Sequence, residues 1–321
     1  MDASISFFPS KPIQELIQIV QYAEAAGYSK CYANEEGVNG KDLYVTLTAL
    51  AGATHTIKLG PGFTNPFVRH PAITASAMLS LDEFSNKRAF LGLTTGGILT
   101  LGPLGITPEK PVETLRETIL LLRRLFRGER ITAVYQDFRL CSAQLIDAGR
   151  DMEIWIAGRS PKILKSAGEL ADGVVLGPIC KHFLGDYIRY IRDGAEISGN
   201  SPKICLSMEI VTTDEEFDEL RSRMVSNIAD SSAEVKKTIG LSSDEAERIK
   251  KLIASGSLQE AGKALKDEWI TPFVIMGSET QCERELKDLI KQHKIDEFQV
   301  RIPWRDPEKR LKKLANILQS I

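Results

Sequence analysis

The sequence has none of the long hydrophobic runs, leader features or excess of one charge that mark membrane, secreted or nucleic-acid-binding proteins. No apolar run approaches the roughly 20 residues that a membrane span requires, and the first residues lack the basic and apolar regions of a signal peptide. A net charge of -2 provides no basic surface for nucleic acid. We therefore expect a cytoplasmic protein that binds neither membrane nor nucleic acid.

Cysteine, histidine and nucleotide-binding motifs are also scarce. The five cysteines are scattered without a CxxC pair, which favours reduced thiols over a disulfide framework. The four histidines show no metal-ligand spacing, so we expect no metal site. Because neither GxxxxGKS nor GxxxxGKT occurs, ATP chemistry has no support either.

The chain does contain a regular alternation of short apolar runs and helical patterns. Hydrophobic residues make up 43% of the sequence, which is enough to bury a sizeable core. Most of the predicted strands are apolar on consecutive residues, a pattern typical of parallel strands that are covered on both faces. These strands span residues 5–8, 30–33, 57–62, 89–93, 154–157, 174–176, 205–211 and 298–302.

Eight strands separated by helices predict an α/β fold of the (β/α)8 barrel type. Such a barrel typically needs roughly 250 residues. We place the excess in a charged, helix-rich insertion at about residues 213–269, between the seventh and eighth strands. One domain would then span residues 1–321. A doubly wound open sheet is the alternative, although no GxGxxG motif follows the first strand.

Segment 57–78 is the most informative part of the chain. An apolar strand leads into Gly60-Pro61-Gly62, and a helix begins after Pro71. Glycine lets a backbone approach a flat ligand, because no Cβ stands in the way. Thr64 and Asn65 offer hydrogen-bonding groups at a strand end, where α/β enzymes place their chemistry. A plain strand-to-helix turn is the alternative on composition alone.

The end of the fifth strand is the best candidate for an anion site. Gly158, Arg159 and Ser160 precede a helix that begins at Pro161, and free backbone N–H groups at such a helix start can hold a phosphate. The Arg159 guanidinium group and the Ser160 hydroxyl could add direct contacts. Gly177, at the next strand end, would close the pocket. Many helices begin in this way with nothing bound, which is the alternative.

Charged residues elsewhere allow more than one interpretation. Glu35 and Glu36 could act as acid and base if one of them were desolvated enough to hold a proton near neutral pH; a solvated acidic loop is the alternative. Glu209 lies in an apolar strand, so it must point into the barrel mouth or find a partner. Arg69-His70 is interpreted as a helix-entry contact.

Segment 57–78, with the sequence IKLGPGFTNPFVRHPAITASAM, closely resembles the methylenetetrahydromethanopterin reductases. These belong to the bacterial luciferase-like group of flavin and deazaflavin (coenzyme F420) enzymes. Segments 4–9, 81–85, 104–106, 157–177 and 296–302 share the resemblance, which covers almost the whole chain. It implies a luciferase-like TIM barrel with a bulged third strand, often with a non-proline cis peptide. It also implies a homodimer formed through the helices after strands two and three.

The resemblance further implies that coenzyme F420 lies across the barrel mouth, with FMN as the alternative cofactor. The ring would rest on the end of the third strand, and the phosphate would lie in the loops after the fifth and sixth strands. The candidate cofactor-binding residues are Gly62, Phe63, Thr64, Asn65, Thr94, Thr95, Gly96, Gly158, Arg159, Ser160 and Gly177.

Three polar positions depart from the usual pattern of these reductases. After the first strand, Ser6 stands where glutamate is usual. After the second strand, Asn34-Glu35-Glu36 stands where Thr-Asp-His is usual. After the fourth strand, residues 94–98 (TTGGI) stand where Gly-Pro-Gly-Asp-Lys is usual. Serine cannot replace a carboxylate as a proton donor near neutral pH. We therefore predict catalytic roles for Glu35 or Glu36, as the proton handler, and for Ser6, as a positioning hydroxyl.

The leading functional hypothesis is an F420-dependent oxidoreductase that transfers a hydride between the deazaflavin and a small substrate. A methylene pterin of one-carbon metabolism is the first substrate to test. An FMN-dependent luciferase-like monooxygenase is one alternative. The other is a non-catalytic paralogue that has lost the acidic residues of the family.

Overall fold

The computed structural model describes residues 1–303 and 305–321, with only the backbone of Ile98 and Leu99. Trp304, which the sequence places at the end of the eighth strand, lies outside the described residues. The strands in chain order are β1 (Asp2–Phe7), β2 (Lys30–Ala33), β3 (Lys58–Pro61), β4 (Leu91–Leu93), β5 (Ile131–Val134), β6 (Arg139–Ala143), β7 (Ile154–Ala157), β8 (Gly173–Leu176), β9 (Lys203–Ser207), β10 (Glu209–Val211), β11 (Val274–Met276) and β12 (Glu297–Arg301).

Helices connect most of these strands. In chain order they are α1 (Ile13–Ala25), α2 (Leu43–Ala53), α3 (Pro71–Phe84), α4 (Ile98–Leu101), α5 (Pro111–Phe126), α6 (Pro161–Leu170), α7 (Leu184–Ser198), α8 (Asp214–Ala229), α9 (Ala233–Thr238), α10 (Ser243–Ala254), α11 (Leu258–Ala264), α12 (Asp267–Ile270), α13 (Glu279–His293) and α14 (Pro307–Gln319). In the part of the chain that the structure describes, none of them is long and apolar enough to cross a membrane.

Eight strands form one parallel sheet in the order β3-β2-β1-β12-β9-β8-β7-β4. Bridges from Leu59 to Ala89 and from Thr64 to Leu93 join the two ends of this order, so the sheet closes into a barrel. The predicted (β/α)8 fold is confirmed. The predicted strand 205–211 is two strands, because β10 leaves the barrel to pair with β11.

The helical insertion lies between barrel strands β9 and β12. Helices α8 to α12 follow β10, and they bury a second apolar core that includes Phe217, Leu220 and Trp269. This core is separate from the main one, which lies between the barrel and its outer helices. The predicted place of a helical insertion, between the seventh and eighth barrel strands, is confirmed. The assignment of residues 1–321 to one domain stays a prediction.

The barrel closes through an irregular end of β3. The Gly62–Phe63 peptide is cis, as the resemblance implies. The chain meets β4 again at Thr64, whose N–H donates to Gly92 O at 3.0 Å, and Thr94 N–H donates to Thr64 O at 2.9 Å. These two hydrogen bonds hold the end of β3 at the rim of the barrel.

Close packing of neighbouring strands is enough to require the glycines at this closure. A Cβ on Gly62 would lie 2.4 Å from the Cβ of Tyr32, and a Cβ on Gly60 would lie 2.2 Å from Phe90 O. A Cβ on Gly92 would lie 2.1 Å from Pro61 O. The missing side chains of Gly60 and Gly62 therefore let the strands pack, and the approach of a ligand to this segment stays a prediction.

A buried ion pair lies at the opposite, N-terminal end of the barrel. Lys30 Nζ is 2.8 Å from Glu297 Oε2, and the two side chains are 3% and 0% exposed. The Tyr32 hydroxyl donates to Glu297 Oε1 at 3.0 Å, and Lys30 Nζ lies 3.8 Å from the centre of the Trp155 ring. Each charge has a partner, which is the condition under which burial of an ion pair is tolerated.

Lys30→Met is expected to lower the free energy of unfolding by about 3–5 kcal/mol, because Glu297 would keep a buried charge without its cation. Urea unfolding at pH 7 measures this change. Lys58→Met is the matched control, since Lys58 lies 2.9 Å from Glu153 but is 46% exposed. That loss should be below about 1 kcal/mol. Equal losses in the two variants would contradict the importance of the buried pair.

Gly62→Ala is expected to destabilise the protein by about 1–3 kcal/mol, because the added Cβ overlaps Tyr32 and forces the strands apart. Gly97→Ala is the control, since no atom lies within 4 Å of a Cβ built at Gly97. Thermal unfolding of both variants checks the difference. A Gly62→Ala protein that melts with the wild type would show that the closure has room for a side chain.

Candidate active site

The candidate residues lie at the C-terminal ends of six neighbouring strands, of which β1 carries Ser6. The sheet order places β8, β7 and β4 side by side, β4 joins β3 at Thr64, and β3 pairs with β2. The loops after these strands carry Gly177, Arg159, Thr94, Thr64 and Glu35 in turn. Residues far apart in the chain therefore form one arc along the barrel rim.

Glu35 is bound to the irregular end of β3. The Thr64 hydroxyl donates to Glu35 Oε2 at 2.5 Å, and Thr64 is fully buried. Burial raises the pKa of Glu35, and Asp42 adds to this rise, while the hydrogen bond from Thr64 and the charge of Arg69 oppose it. The contact therefore joins the loop after β2 to the end of β3.

Glu36 is electrostatically different from its neighbour. Burial raises its pKa to about 7, with Arg301 opposing this rise and Glu35 adding to it. No described residue donates a hydrogen bond to its carboxyl group in the way that Thr64 does to Glu35. A carboxyl group that titrates near neutral pH can both give and take a proton. Because both side chains are half-buried, the structure does not support a solvated acidic loop.

Asn65 uses its side-chain oxygen within its own loop. Its Oδ1 accepts hydrogen bonds from the N–H groups of Phe67 at 3.0 Å and Val68 at 3.1 Å. This is an Asx-type turn, which shapes the loop before α3. Only the amide N–H groups of Asn65 are left for a ligand. Phe63, half-buried, packs its ring 5.9 Å from that of Tyr32.

Ser6 lies at the end of β1, beside the acidic loop. It is 7% exposed, and the strand register places it next to Tyr32 on β2 and Arg301 on β12. Its carbonyl oxygen accepts a hydrogen bond from Ile302 N–H at 2.8 Å. The position is thus inside the barrel mouth, where a hydroxyl can contact a bound molecule but cannot supply an acidic proton.

The loop after β4 is fixed at one end and open at the other. Thr94 is tied to Thr64 through its N–H, and both Thr94 and Thr95 are half-buried. Gly96 has a φ of +74°, and a Cβ there would lie 2.7 Å from Leu101 Cδ1. Gly96 is therefore required by the left-handed backbone of the turn.

The predicted phosphate loop begins α6. Ser160 is the N-cap of this helix, and its Oγ accepts a hydrogen bond from Ile163 N–H at 3.3 Å. A Cβ on Gly158 would lie 2.3 Å from Ile163 Cγ2, and a Cβ on Gly177 would lie 2.5 Å from Ser207 O. These glycines bring the two loops close to α6 and β9.

A cavity of about 520 Å³ opens in front of this loop. Arg159 and Ser160 line one side, and Tyr187 and Arg189 of α7 line another. Insertion residues 230–232, 234 and 235 complete the wall, so the carboxylates of Asp230 and Glu234 belong to the lining as well. Arg189 is paired with Asp186 at 2.8 Å. The part of the lining that suits a phosphate or another oxyanion is therefore the Arg159 guanidinium group with the helix N-terminus at Ser160.

Arg301 is the main site residue that the sequence did not single out. It ends β12, and its Nε lies 3.9 Å from Oε1 of Glu209, which also lies 3.5 Å from Arg223 Nη1. Glu209 thus has two cationic partners. The only sequence signal was an arginine that ends an apolar strand. At His70, Nδ1 accepts from Ala72 N–H at 3.1 Å, in agreement with a helix-entry contact.

Comparison with known proteins identifies the family of this chain. A family model described as luciferase-like monooxygenase matches residues 3–296. The 5,10-methylenetetrahydromethanopterin reductase of Methanolobus tindarius is 36% identical over 203 residues, which are 63% of this chain and 62% of that protein. The reductase of the same name from Archaeoglobus fulgidus is 30% identical over 301 residues, or 91% of this chain and 90% of that protein.

Solved structures agree on the fold. The coenzyme F420-dependent tetrahydromethanopterin reductase from Methanopyrus kandleri superposes with a TM-score of 0.88 at 24% identity, covering 98% of this chain and 97% of that one. An F420-dependent secondary alcohol dehydrogenase, solved with an F420–acetone adduct, gives 0.79 at 15% identity, with 100% and 99% coverage. With its barrel, its rim and a match that spans residues 3–296, this chain belongs to the luciferase-like monooxygenase family.

Proposed function

We propose that the protein is a coenzyme F420-dependent oxidoreductase that transfers a hydride between the deazaflavin and a small substrate. The observation that carries the proposal is the continuity of one rim: the irregular end of β3, the loop after β4 and the anion loop before α6 lie on neighbouring strands. The similarity to two reductases along the chain supports the same activity.

The residues of the rim fit a flavin-type group that carries a phosphate. Gly62 to Asn65 would support the ring, with Thr94, Thr95 and Gly96 beside it. Arg159, Ser160 and the adjacent Gly158 and Gly177 would hold the phosphate in the cavity of about 520 Å³. When bound, the deazaflavin supplies the hydride chemistry, and the protein supplies orientation and shielding from water.

Three residues of the rim have separate roles in this proposal. Glu35 holds Thr64 in place through the 2.5 Å hydrogen bond, which fixes the support beneath the ring. Glu36, with a pKa near 7, exchanges the proton that accompanies hydride transfer. Ser6 is buried between these groups and Arg301, and its hydroxyl orients the substrate.

A methylene pterin is the first substrate that we propose, because the two relatives described above at 30% identity or more are named as reductases of that compound. We also propose a homodimer in which α2 and α3 face the partner. These helices expose apolar side chains at Val45 (59%), Ile73 (54%) and Phe84 (59%). Exposed apolar surface of this kind commonly marks a contact between proteins.

An FMN-dependent monooxygenase is the second candidate function. A type II Baeyer-Villiger monooxygenase with FMN shares the fold, with a TM-score of 0.70 at 16% identity, and an oxyanion loop would hold the phosphate of either cofactor. A non-catalytic paralogue is the third candidate, supported by serine at position 6. Cofactor preference separates the three.

We expect the ligand-free protein to bind coenzyme F420 at least about tenfold more tightly than FMN, since only the former fits the proposed function. Calorimetry and fluorescence titration of the purified protein measure both affinities. Arg159→Gln should weaken binding by about tenfold through loss of a charge-assisted hydrogen bond, whereas Arg248→Gln on α10 serves as a surface control. A preference for FMN would favour the monooxygenase, and binding of neither would favour the non-catalytic paralogue.

In the direction that consumes a proton, kcat/KM is expected to fall as the pH rises through about 7, because Glu36 must carry its proton. Glu36→Gln should lower kcat by about tenfold or more and remove this limb of the pH profile. Glu113→Gln, an exposed carboxylate in the first turn of α5, is the control. A Glu36→Gln enzyme with the wild-type rate and profile would exclude Glu36 as the proton donor.

A further inference from the structure

Arg301 carries a guanidinium group that no described residue satisfies by a hydrogen bond. Its side chain is 24% exposed, and the carboxylate that pairs with it, Glu209, has its Oε1 3.9 Å from Nε. That distance is too long for a hydrogen bond. Arginine has five N–H donors, and leaving them unpaired in a half-buried position is costly. The register places Arg301 beside Ser6 at the C-terminal rim of the barrel, where its N–H groups are free for an acceptor.

The charges around Arg301 leave a positive surplus. Glu209 also lies 3.5 Å from Arg223 Nη1 on α8, so one carboxylate faces two guanidinium groups. Burial lowers the pKa of Arg301 and Arg223 adds to this effect, while Glu209 and Glu36 oppose it. Because the pKa of Glu36 is about 7, only part of the Glu36 population is negatively charged at neutral pH. Glu36 therefore balances the positive charge of Arg301 only in part.

Stacking fixes the guanidinium group without using its donors. The central carbon of the Arg301 guanidinium lies 5.2 Å from the centre of the Phe8 ring. Contact with an aromatic face is favourable for a guanidinium group, and it restricts the side chain before any ligand binds. A fork that is held in one place binds an oxyanion at a smaller entropic cost than a free side chain would.

We propose that Arg301 binds an anionic group of the substrate, a carboxylate or a phosphate. The inference rests on the proposed function and names the substrate class for the same site. A guanidinium fork matches both oxyanions with two parallel hydrogen bonds. Arg301 is three strands from β3 in the sheet order. At a strand spacing of about 4.8 Å, this places the anion about 14 Å from the ring support, measured along the sheet. The anionic group thus belongs to a part of the substrate remote from the reacting carbon.

In this proposal, binding of the anion also favours protonation of Glu36. Arg301 opposes the rise that burial and Glu35 cause in the pKa of Glu36. An anion that neutralises Arg301 removes this opposition, so the pKa of Glu36 rises and the protein takes up a proton near pH 7. Other charged groups around this pair are Glu209 and Arg223 beside Arg301, and Asp42 and Arg69 beside Glu35. Glu216, Arg310 and Lys313 line the same small cavity as Arg301.

The test uses the full-length protein without cofactor and three aromatic probes of similar size. Benzoate and phenyl phosphate carry the two anionic groups, and benzamide is the neutral counterpart of benzoate. Calorimetry at constant ionic strength and pH 7 is expected to give at least about tenfold tighter binding of one anion than of benzamide. The tighter of the two anions identifies the group as a carboxylate or a phosphate.

Variants assign this preference to one residue. Arg301→Gln should abolish it, and Arg301→Lys should keep part of it, because the charge remains without the fork. Arg305→Gln is the matched control, since Arg305 is 71% exposed and paired with Glu219 at 3.0 Å, and it should keep the full preference. Circular dichroism and melting temperature establish that each variant is folded.

Proton uptake tests the coupling to Glu36. Benzoate titrations in two buffers of different ionisation enthalpy should show uptake of a fraction of a proton by the wild type. The Glu36→Gln protein should bind the anion without uptake. Equal binding of benzoate, phenyl phosphate and benzamide, or an unchanged preference in Arg301→Gln, would overturn the proposal. Since no cofactor is present, failure here is distinguishable from failure of the oxidoreductase proposal, which the cofactor titration decides.

Discussion

Closure of the barrel between β3 and β4 is the constraint on which the site depends. The two strands meet only at Leu59 and Thr64, and Pro61 between them has no N–H to donate to a ladder. The intervening chain passes close to β2 and β4 because Gly62 and Gly92 have no side chain. Thr64 is then fixed at the rim by backbone hydrogen bonds, and Glu35 by its bond to Thr64. A wider or looser closure would move both groups.

The charged groups at the two ends of the barrel differ in how completely they are paired. At the N-terminal end, Lys30 and Glu297 are almost fully buried and satisfy each other, with the Tyr32 hydroxyl as a third partner. At the C-terminal end, the Arg301 guanidinium group is half-buried, its carboxylate partner is 3.9 Å away and shared, and Glu36 titrates near neutral pH. Removing one member of a complete buried pair is costly, because the other charge is left without a partner. In the proposal made above, the incomplete pairing of Arg301 is what leaves it free to bind an anionic ligand.

The chain has the barrel of its family, and the resemblance to the reductases implies that polar groups on its rim differ from theirs. In the resemblance to the reductases, position 6 is usually a glutamate; here it is a buried serine beside Arg301. In the proposed function the proton passes to Glu36, one strand away, whose acidity is set by burial and by Arg301. An arginine next to the proton-exchanging carboxyl group links substrate binding to protonation, because each changes the charge that the other experiences.

The sequence by itself determined features that depend on neighbouring residues. The apolar runs, the Ser160-Pro161 helix start and the resemblance in segment 57–78 were sufficient for the barrel, the insertion and the position of the rim. The sequence showed two acidic residues after β2 but gave no reason to choose one of them as the proton handler. It also gave no indication of which residues surround Arg301. Only the tertiary structure distinguished Glu35, bound by Thr64 from 29 residues away, from Glu36, which faces Arg301 at the other end of the chain. It also showed that strand packing requires Gly60 and Gly62. Periodicity and capping act within a few residues, whereas burial, ion pairing and proton affinity depend on which distant strands the closed barrel places side by side.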